Sequence, residues 1–156
     1  MLSAVNTALL HEQGAGPLRF VTACCLVLEP GTEGHRVRVG VAGHPVPLLR
    51  SADGAVTEVG APGRPLGVDA DVQFETTSVV LPPGATLLLY TDGVTEARDA
   101  TGSQFGEGAL ARLLAGRDCA DAEGAVAAVT AAVEAQVSGS RHEADDMALL
   151  ALTVSA

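Results

Sequence analysis

Two groups of carboxylates stand beside apolar runs, one in the second half of the sequence and one near its end. Asp92 follows a run of leucines and is itself followed by Gly93. Asp145 and Asp146 directly precede an apolar run that ends at Val154. A buried strand holds the side chain at its end more firmly than a loop does, and glycine leaves room for the chain to turn beside an ion. The pattern therefore predicts two carboxylate sites mounted at strand ends.

Carboxylate oxygens at such positions suit magnesium or manganese. Both ions take oxygen ligands in octahedral geometry, often one or two carboxylates with several waters. A bound ion lowers the pKa of its water and neutralises phosphate oxygens, and together these effects permit hydrolysis of a phosphomonoester. The alternative is that Asp92 and Asp145 only cap turns or helices, and these residue types alone do not decide between the two interpretations.

The composition excludes several classes of partner. The chain has 156 residues, of which 47% are apolar, which predicts a single domain over residues 1–156 with a core of its own. Its formal net charge is -10 and its nine basic residues are all arginine, so nucleic acid is a poor partner. The apolar runs are shorter than a membrane span and no secretory signal follows Met1, so we expect no membrane partner and a cytoplasmic location.

The periodicity of apolar residues predicts antiparallel strands with the helices grouped apart. Val37, Val39 and Val41 alternate with arginines, which indicates a half-exposed strand. This order of elements favours an α+β layered fold over a doubly wound sheet. The absence of GxGxxG and GxxxxGK motifs argues against nucleotide binding. One strand is predicted at residues 20–28, buried on both faces, and two more at 47–50 and 55–59 are joined by a turn at Asp53-Gly54. Further strands are predicted at 72–80, 85–91 and 147–154. The first predicted helix is 2–10, ended by Gly14, Gly16 and Pro17; a second contains Leu110, Leu113 and Leu114, and a third contains Val126, Val129, Val133 and Val137.

Several segments in a fixed order resemble the metal-dependent type 2C serine/threonine protein phosphatases, in their bacterial SpoIIE-like branch. An ordered set of motifs is far more specific than any one of them, and the resemblance spans residues 1–156. The segments are Phe20–Ala23, Ala42–Leu49, Gly63–Gly67, Leu88–Arg98 followed by Phe105-Gly106, and Asp145–Leu150.

The resemblance implies an αββα sandwich, with two antiparallel sheets flanked by helix pairs and a binuclear magnesium or manganese centre at one end. It implies that Asp92 and Asp145 are the catalytic carboxylates and metal ligands, with Gly93 beside the first and Asp146 ordering the site next to the second. A metal-activated water would attack phosphorus in line, without a phosphoenzyme intermediate. The implied substrate is phosphoserine or phosphothreonine on a small regulatory protein, such as an anti-sigma factor antagonist.

The chain departs from the family pattern at its start. The Asp-x-x-Gly-His-Gly motif, whose aspartate bridges both metals, and the opening strands of both sheets are absent, so the resemblance covers the C-terminal two-thirds of a catalytic domain. Without the bridging carboxylate we expect at most one weakly held ion and little turnover by this chain alone. A noncatalytic phosphoprotein-binding or regulatory module on the same scaffold is therefore the alternative. Missing strands also leave exposed sheet edges, which predict self-association.

Other polar residues near the motifs have simpler interpretations. His44 is expected to support a turn rather than to act as a base, and His142 is expected to be a solvated loop residue rather than an acid for the leaving group. Arg64 and Arg98 are expected to be solvated, although a guanidinium could bind phosphate. Glu96 fits a solvated position and a role in orienting a metal-bound water equally well.

Overall fold

A computed structural model of the chain describes residues 1–13, 18–31, 34–141 and 145–155. Among these residues, no helix is both long enough and apolar enough to cross a membrane. The elements are α1 Leu2–Glu12, β1 Ala23–Glu29, β2 His35–Ala42, β3 Leu48–Arg50, β4 Val56–Glu58, β5 Thr76–Leu81, β6 Thr86–Tyr90, α2 Asp92–Thr95, α3 Glu107–Leu114, a 3-10 turn Arg117–Cys119, α4 Ala122–Val137 and β7 Leu149–Thr153.

The strands form two antiparallel sheets. The first has the order β1-β2-β5 and the second the order β4-β3-β6-β7. In the second sheet Leu88 of β6 stands opposite Leu48 of β3 and Ala151 of β7, so β6 is a central strand. The predicted architecture of two antiparallel sheets flanked by helices is therefore confirmed.

The side chains of β6 alternate between two hydrophobic clusters. Leu87 and Leu89 pack between the sheets, in a cluster with the valines of β2, and Leu88 and Tyr90 pack against α3 and α4. Fully burying one such side chain is worth about 1.5–3 kcal/mol, so both faces of β6 contribute strongly to stability. On the outer face of the first sheet, Gly40 gives α1 room to approach, because a Cβ there would lie 3.0 Å from Leu2 Cδ1.

Helix α4 begins at a side-chain cap and packs through one narrow face. The Asp121 carboxylate accepts a hydrogen bond from the Gly124 N–H at 2.8 Å, which satisfies one of the free donors of the first turn. Val129 and Val133 are buried as predicted, but the third buried residue is Ala125. The predicted members Val126 and Val137 are only partly buried.

The interpretation of residues 20–28 as a strand buried on both faces is wrong. Strand β1 begins at Ala23 and forms an edge of its sheet, so its exposed side has no strand to cover it among the described residues. Phe20, Val27 and Leu28 are accordingly 60%, 38% and 45% exposed. The predicted strand 72–80 likewise begins later, at Thr76. The residues predicted to end the first helix, Gly14, Gly16 and Pro17, lie outside the described residues. His142 also lies outside them.

The buried amide of Asn6 fixes α1 to the loop that follows β4. Its Nδ2 donates to the Asp69 carbonyl at 2.9 Å, and its Oδ1 accepts from the Gly67 N–H at 2.7 Å. Asn6 is only 3% exposed, so water cannot replace these bonds. Helix α1 is thereby held by polar contacts as well as by its apolar face.

Candidate metal centre

The Asp92 carboxylate lies just beyond the end of β6, at the first residue of the short helix α2. Strand β6 ends at Tyr90, and Thr91 is the extended residue before the helical turn. The Asp92 side chain is exposed, and its Oδ1 accepts a hydrogen bond from the Gly93 N–H at 3.0 Å. Its backbone carbonyl accepts from the Glu96 N–H at 2.8 Å, which closes the turn. The strand-end position was predicted, whereas the helical turn that follows was not.

The Asp145–Asp146 segment lies directly beside this turn. Strand β7 pairs with β6 so that Leu149 stands opposite Tyr90, which places the residues before β7 next to those after β6. A Cβ on Gly93 would lie 2.5 Å from the Asp146 carbonyl oxygen and 3.4 Å from that of Asp145, so only glycine allows this approach. The structure thus brings together the two carboxylate-bearing segments that the sequence singled out.

Thr91 joins the same two segments and was missed in the sequence. Its N–H donates to the Ala148 carbonyl at 3.1 Å, and its Oγ1 accepts from the Ala148 N–H at 2.9 Å. The hydroxyl also donates to the Asp146 carbonyl at 3.4 Å. The available signal was a hydroxyl residue between an apolar strand and an Asp-Gly pair. Thr91 continues the connection between the segments beyond the last strand pair.

The donors present fit a hydrated hard ion held by few protein ligands. The side chains of Asp92, Asp145 and Asp146 are all exposed, and Asp145 Oδ1 accepts from the Asp146 N–H at 2.8 Å. In the part of the chain that the structure describes, no three His, Cys, Asp or Glu side chains are grouped to hold a metal. Magnesium commonly keeps several waters and needs only one or two carboxylates. The set is therefore compatible with such an ion and not with a closed protein cage.

His44 lies close enough to Asp92 for that charge to act on it. Burial lowers the pKa of the imidazole, and the negative charge of Asp92 acts more weakly in the opposite direction. Gly43 before it adopts a φ of +67° and donates its N–H to the Gly63 carbonyl at 2.8 Å, which fixes the turn. His44 thus lies in a fixed turn near Asp92, and its supporting role stays a prediction.

The remaining candidate side chains make hydrogen bonds or ion pairs within their own loops. Arg64 Nη1 contacts Asp69 Oδ2 at 3.1 Å, and Arg98 Nη1 donates to the Gly102 carbonyl at 2.8 Å. Both arginines are exposed, as expected for solvated residues, and so is Glu96 at the end of α2. Asp53 accepts from the Ala55 N–H at 3.1 Å inside the predicted hairpin turn.

Solved structures share this architecture. The phosphatase domain of the cell fate determinant SpoIIE from Bacillus subtilis, presoaked with manganese, matches with a TM-score of 0.67 at 17% identity, over 99% of this chain and 64% of that one. The PPM Ser-Thr phosphatase MsPP from Mycobacterium smegmatis, in complex with cacodylate, matches with a TM-score of 0.63 at 17% identity, over 98% and 71%. At these identities the likeness concerns the fold, which is that of the PP2C phosphatase domains.

Sequence similarity extends further for one structure and for one family. The RsbU and RsbW domains of a Mycobacterium tuberculosis protein match at 31% identity with a TM-score of 0.64, over 86% of this chain and 36% of that one. The profile of the family described as Stage II sporulation protein E (SpoIIE) matches residues 1–155. The chain therefore belongs to the SpoIIE family, as its motifs predicted. A search of curated proteins finds no match. The chain spans less than two thirds of the Bacillus phosphatase domain that it matches.

Proposed function

We propose that this chain carries the Asp92 and Asp145 side of a metal-dependent phosphatase site. The observation that carries the proposal is the close approach of Gly93 to the Asp146 carbonyl, which holds two carboxylate-bearing segments together at one end of the sandwich. Membership of the SpoIIE family and the PP2C-type fold support the same conclusion. The reaction proposed is hydrolysis of phosphoserine or phosphothreonine on a regulatory protein.

Asp92 and Asp145 are the residues that would hold the magnesium or manganese ion, with Gly93 and Asp146 setting their positions. The bound ion would supply an activated water and neutralise phosphate oxygens. The chain itself contributes an anchored Asp92, since Thr91 holds the start of its turn against the neighbouring segment. The exposed position of the carboxylates leaves the site open to a phosphorylated segment of another protein.

The proposed substrate is a small phosphorylated regulatory protein, such as an anti-sigma factor antagonist. The match to a Mycobacterium tuberculosis protein that contains RsbU and RsbW domains supports a regulatory partner. The net charge of -10 disfavours nucleic acid as a partner. We propose a cytoplasmic location, and we treat residues 1–156 as one partial catalytic domain.

A second candidate function is a noncatalytic module that binds a phosphoprotein on this scaffold. It is favoured by one observation, namely that the described residues do not group a third metal-binding side chain with the two carboxylates. Too few ligands weaken the binding of a metal ion without altering the fold, so the chain could still bind a phosphoprotein without hydrolysing it.

Phosphate release from a phosphoserine peptide, with manganese or magnesium and with a chelator, tests the proposal. We expect weak, metal-dependent release by this chain, which falls at least about 100-fold in Asp92→Asn and in Asp145→Asn. Asp118→Asn is the matched control, because this exposed aspartate lies near Ala120, whose carbonyl accepts from Thr86 Oγ1 at the opposite end of β6.

Three outcomes are distinct in this experiment. Release that depends on both metal and Asp92 supports the phosphatase. Binding of manganese and of the peptide without release supports the module. A wild-type chain that binds manganese no better than Asp92→Asn contradicts the metal site itself, whatever the activity.

A further inference from the structure

The loop that contains Arg64 packs against the turn formed by Gly43 and His44. The Gly63 carbonyl accepts a hydrogen bond from the Gly43 N–H at 2.8 Å. On the other side of Arg64, Pro65 approaches the same turn so closely that a Cβ on Gly43 would lie 2.6 Å from Pro65 Cγ. Both neighbours of Arg64 therefore touch the turn, and they fix the backbone of Arg64 beside it.

This turn lies at the same end of the sandwich as the candidate metal centre. The negative charge of Asp92 acts on the His44 imidazole. His44 and Thr91 also line one cavity of about 250 Å³, and Thr91 directly precedes Asp92. The loop of Arg64 is thus fixed next to residues that border the Asp92 carboxylate.

Most of the hydrogen-bonding capacity of the Arg64 guanidinium is unused. Its Nη1 contacts Asp69 Oδ2 at 3.1 Å, and the Arg64 side chain is 68% exposed. A guanidinium has several N–H donors in a planar fork, which matches the oxygens of carboxylate and phosphate groups. Within the part of the chain that the structure describes, the other donors of Arg64 contact no protein group. They face solvent, where an anion can reach them.

Asp69, in contrast, is held firmly in place. Its Oδ1 accepts from the Asp71 N–H at 2.9 Å, and its backbone carbonyl accepts from Asn6 Nδ2, also at 2.9 Å. The carboxylate is therefore a fixed partner for one edge of the Arg64 guanidinium. An exposed ion pair of this kind contributes little to stability, so an anion of higher charge can replace the carboxylate.

The charge of the chain creates a need for a cation at this place. The formal net charge is -10, and the side chains of Asp92, Asp145 and Asp146 are all exposed at this end. A phosphorylated segment of another protein is therefore repelled as it approaches. A cation fixed beside the centre relieves this repulsion, and Arg64 is such a cation.

We propose that Arg64 binds the phosphate group of the phosphoserine or phosphothreonine substrate, and that Asp69 holds the guanidinium until this phosphate takes its place. The proposal rests on the function proposed above, because it requires that the phosphate be bound beside Asp92. A phosphorylated side chain carries about -1.5 to -2 charges at neutral pH and has several acceptor oxygens. Its bidentate hydrogen bonds to a guanidinium are stronger than the single contact that Asp69 makes.

Binding of a labelled phosphoserine peptide, measured by fluorescence anisotropy with and without manganese, tests this contact. We expect Arg64→Gln to raise the dissociation constant of the phosphorylated peptide about tenfold or more, and to leave that of the unphosphorylated peptide unchanged. Arg64→Lys keeps the charge but not the planar fork, so it should recover part of the loss. Arg117→Gln is the matched control, because this exposed arginine lies near Ala120, whose carbonyl accepts from Thr86 Oγ1 at the opposite end of β6.

Asp69→Asn should change the affinity in the opposite direction. The asparagine keeps an oxygen that can accept from the Asp71 N–H, but it no longer competes with phosphate for the guanidinium. We expect the phosphorylated peptide to bind about threefold more tightly to Asp69→Asn than to the wild type. In the Arg64→Gln background the same substitution should have little effect, because the two residues act through one contact. Asp71→Asn removes a charge from the same loop and controls for the general effect of charge.

The outcomes for Arg64 and for the metal site are separable. Manganese titration should give the same affinity for the wild type and for Arg64→Gln, and circular dichroism checks that all variants are folded. A wild type that binds no manganese, but loses affinity for the phosphorylated peptide on Arg64→Gln, contradicts the metal site and supports the Arg64 contact.

Four results would overturn the proposal. The first is a wild type without preference for the phosphorylated peptide, and the second is an Arg64→Gln chain that binds this peptide as tightly as the wild type. The third is an equal loss of affinity for the unphosphorylated peptide or for manganese in Arg64→Gln. The fourth is an equal loss of affinity for the phosphorylated peptide in Arg117→Gln.

Discussion

Replacing Gly93 with alanine would push a methyl group into the segment that carries Asp145 and Asp146. The new Cβ would lie 2.5 Å from the Asp146 carbonyl oxygen and 3.1 Å from its carbon, whereas ordinary contact begins at 3.4 Å. Both atoms belong to the backbone, so the two segments must separate by about 1 Å. Overpacking of this kind costs about 1–3 kcal/mol, and alanine regains up to about 1 kcal/mol over glycine in a helix. We expect Gly93→Ala to lower the free energy of unfolding by about 1–2 kcal/mol.

Gly108→Ala is the matched control for this prediction. Gly108 lies in α3, and a Cβ there would meet only Arg112 Nη1 at 3.4 Å, the end of a flexible side chain. Alanine should therefore raise the free energy of unfolding by about 0.5–1 kcal/mol at this position. Urea unfolding followed by circular dichroism measures both variants, and manganese titration should show weaker binding only for Gly93→Ala. A Gly93→Ala chain as stable as Gly108→Ala would refute the reasoning.

Three further predictions concern buried or capping groups. Asn6→Ala should lower the free energy of unfolding by about 2 kcal/mol in urea, because α1 loses both hydrogen bonds to its neighbouring loop; an unchanged midpoint would contradict this. Asp121→Ala should cost about 1 kcal/mol in the same assay by removing the cap of α4, and Asp121→Asn should restore most of it. Burial and, less strongly, the neighbouring Cys25 raise the pKa of Cys24 from 9.0 to about 11, so far less of it is thiolate at neutral pH. In a chain with Cys25→Ser and Cys119→Ser, burial alone still raises the pKa of Cys24. Alkylation of Cys24 should then be up to about 100-fold slower than that of an ordinary thiol and should rise about tenfold per pH unit up to the raised pKa.

Strands with one buried face could be predicted from the sequence, but the exposure of the edge strand β1 could not. In β2 the valines are buried and the arginines Arg36 and Arg38 are exposed, because one face meets the other sheet while the opposite face meets solvent. Strand β1 has apolar residues on both faces, and this pattern suggested burial on both. Burial depends on which strands lie beside it, and a local pattern contains no information about neighbours that are distant in sequence.

The site was predictable in its carboxylates but not in its packing. The placement of Asp92 after an apolar run was enough to predict its position just beyond the end of β6, whereas Asp145 lies four residues before β7, which begins at Leu149 and not at residue 147 as predicted. Gly93 was interpreted as room for a turn beside an ion, whereas in the fold it makes room for the Asp146 carbonyl. Thr91 was missed because its partner, Ala148, lies 57 positions along the chain and is brought beside it only by the pairing of β6 with β7.

The position of β6 between two hydrophobic clusters has a consequence for partial unfolding. Leu87 and Leu89 belong to one cluster and Leu88 and Tyr90 to the other, so each cluster retains this strand when the other one opens. Amides of β6 should therefore exchange only when the whole chain unfolds, while those of α1 exchange through local opening. Because Asp92 follows β6 by two residues, the strand that positions Asp92 should stay folded when only one of the two clusters opens.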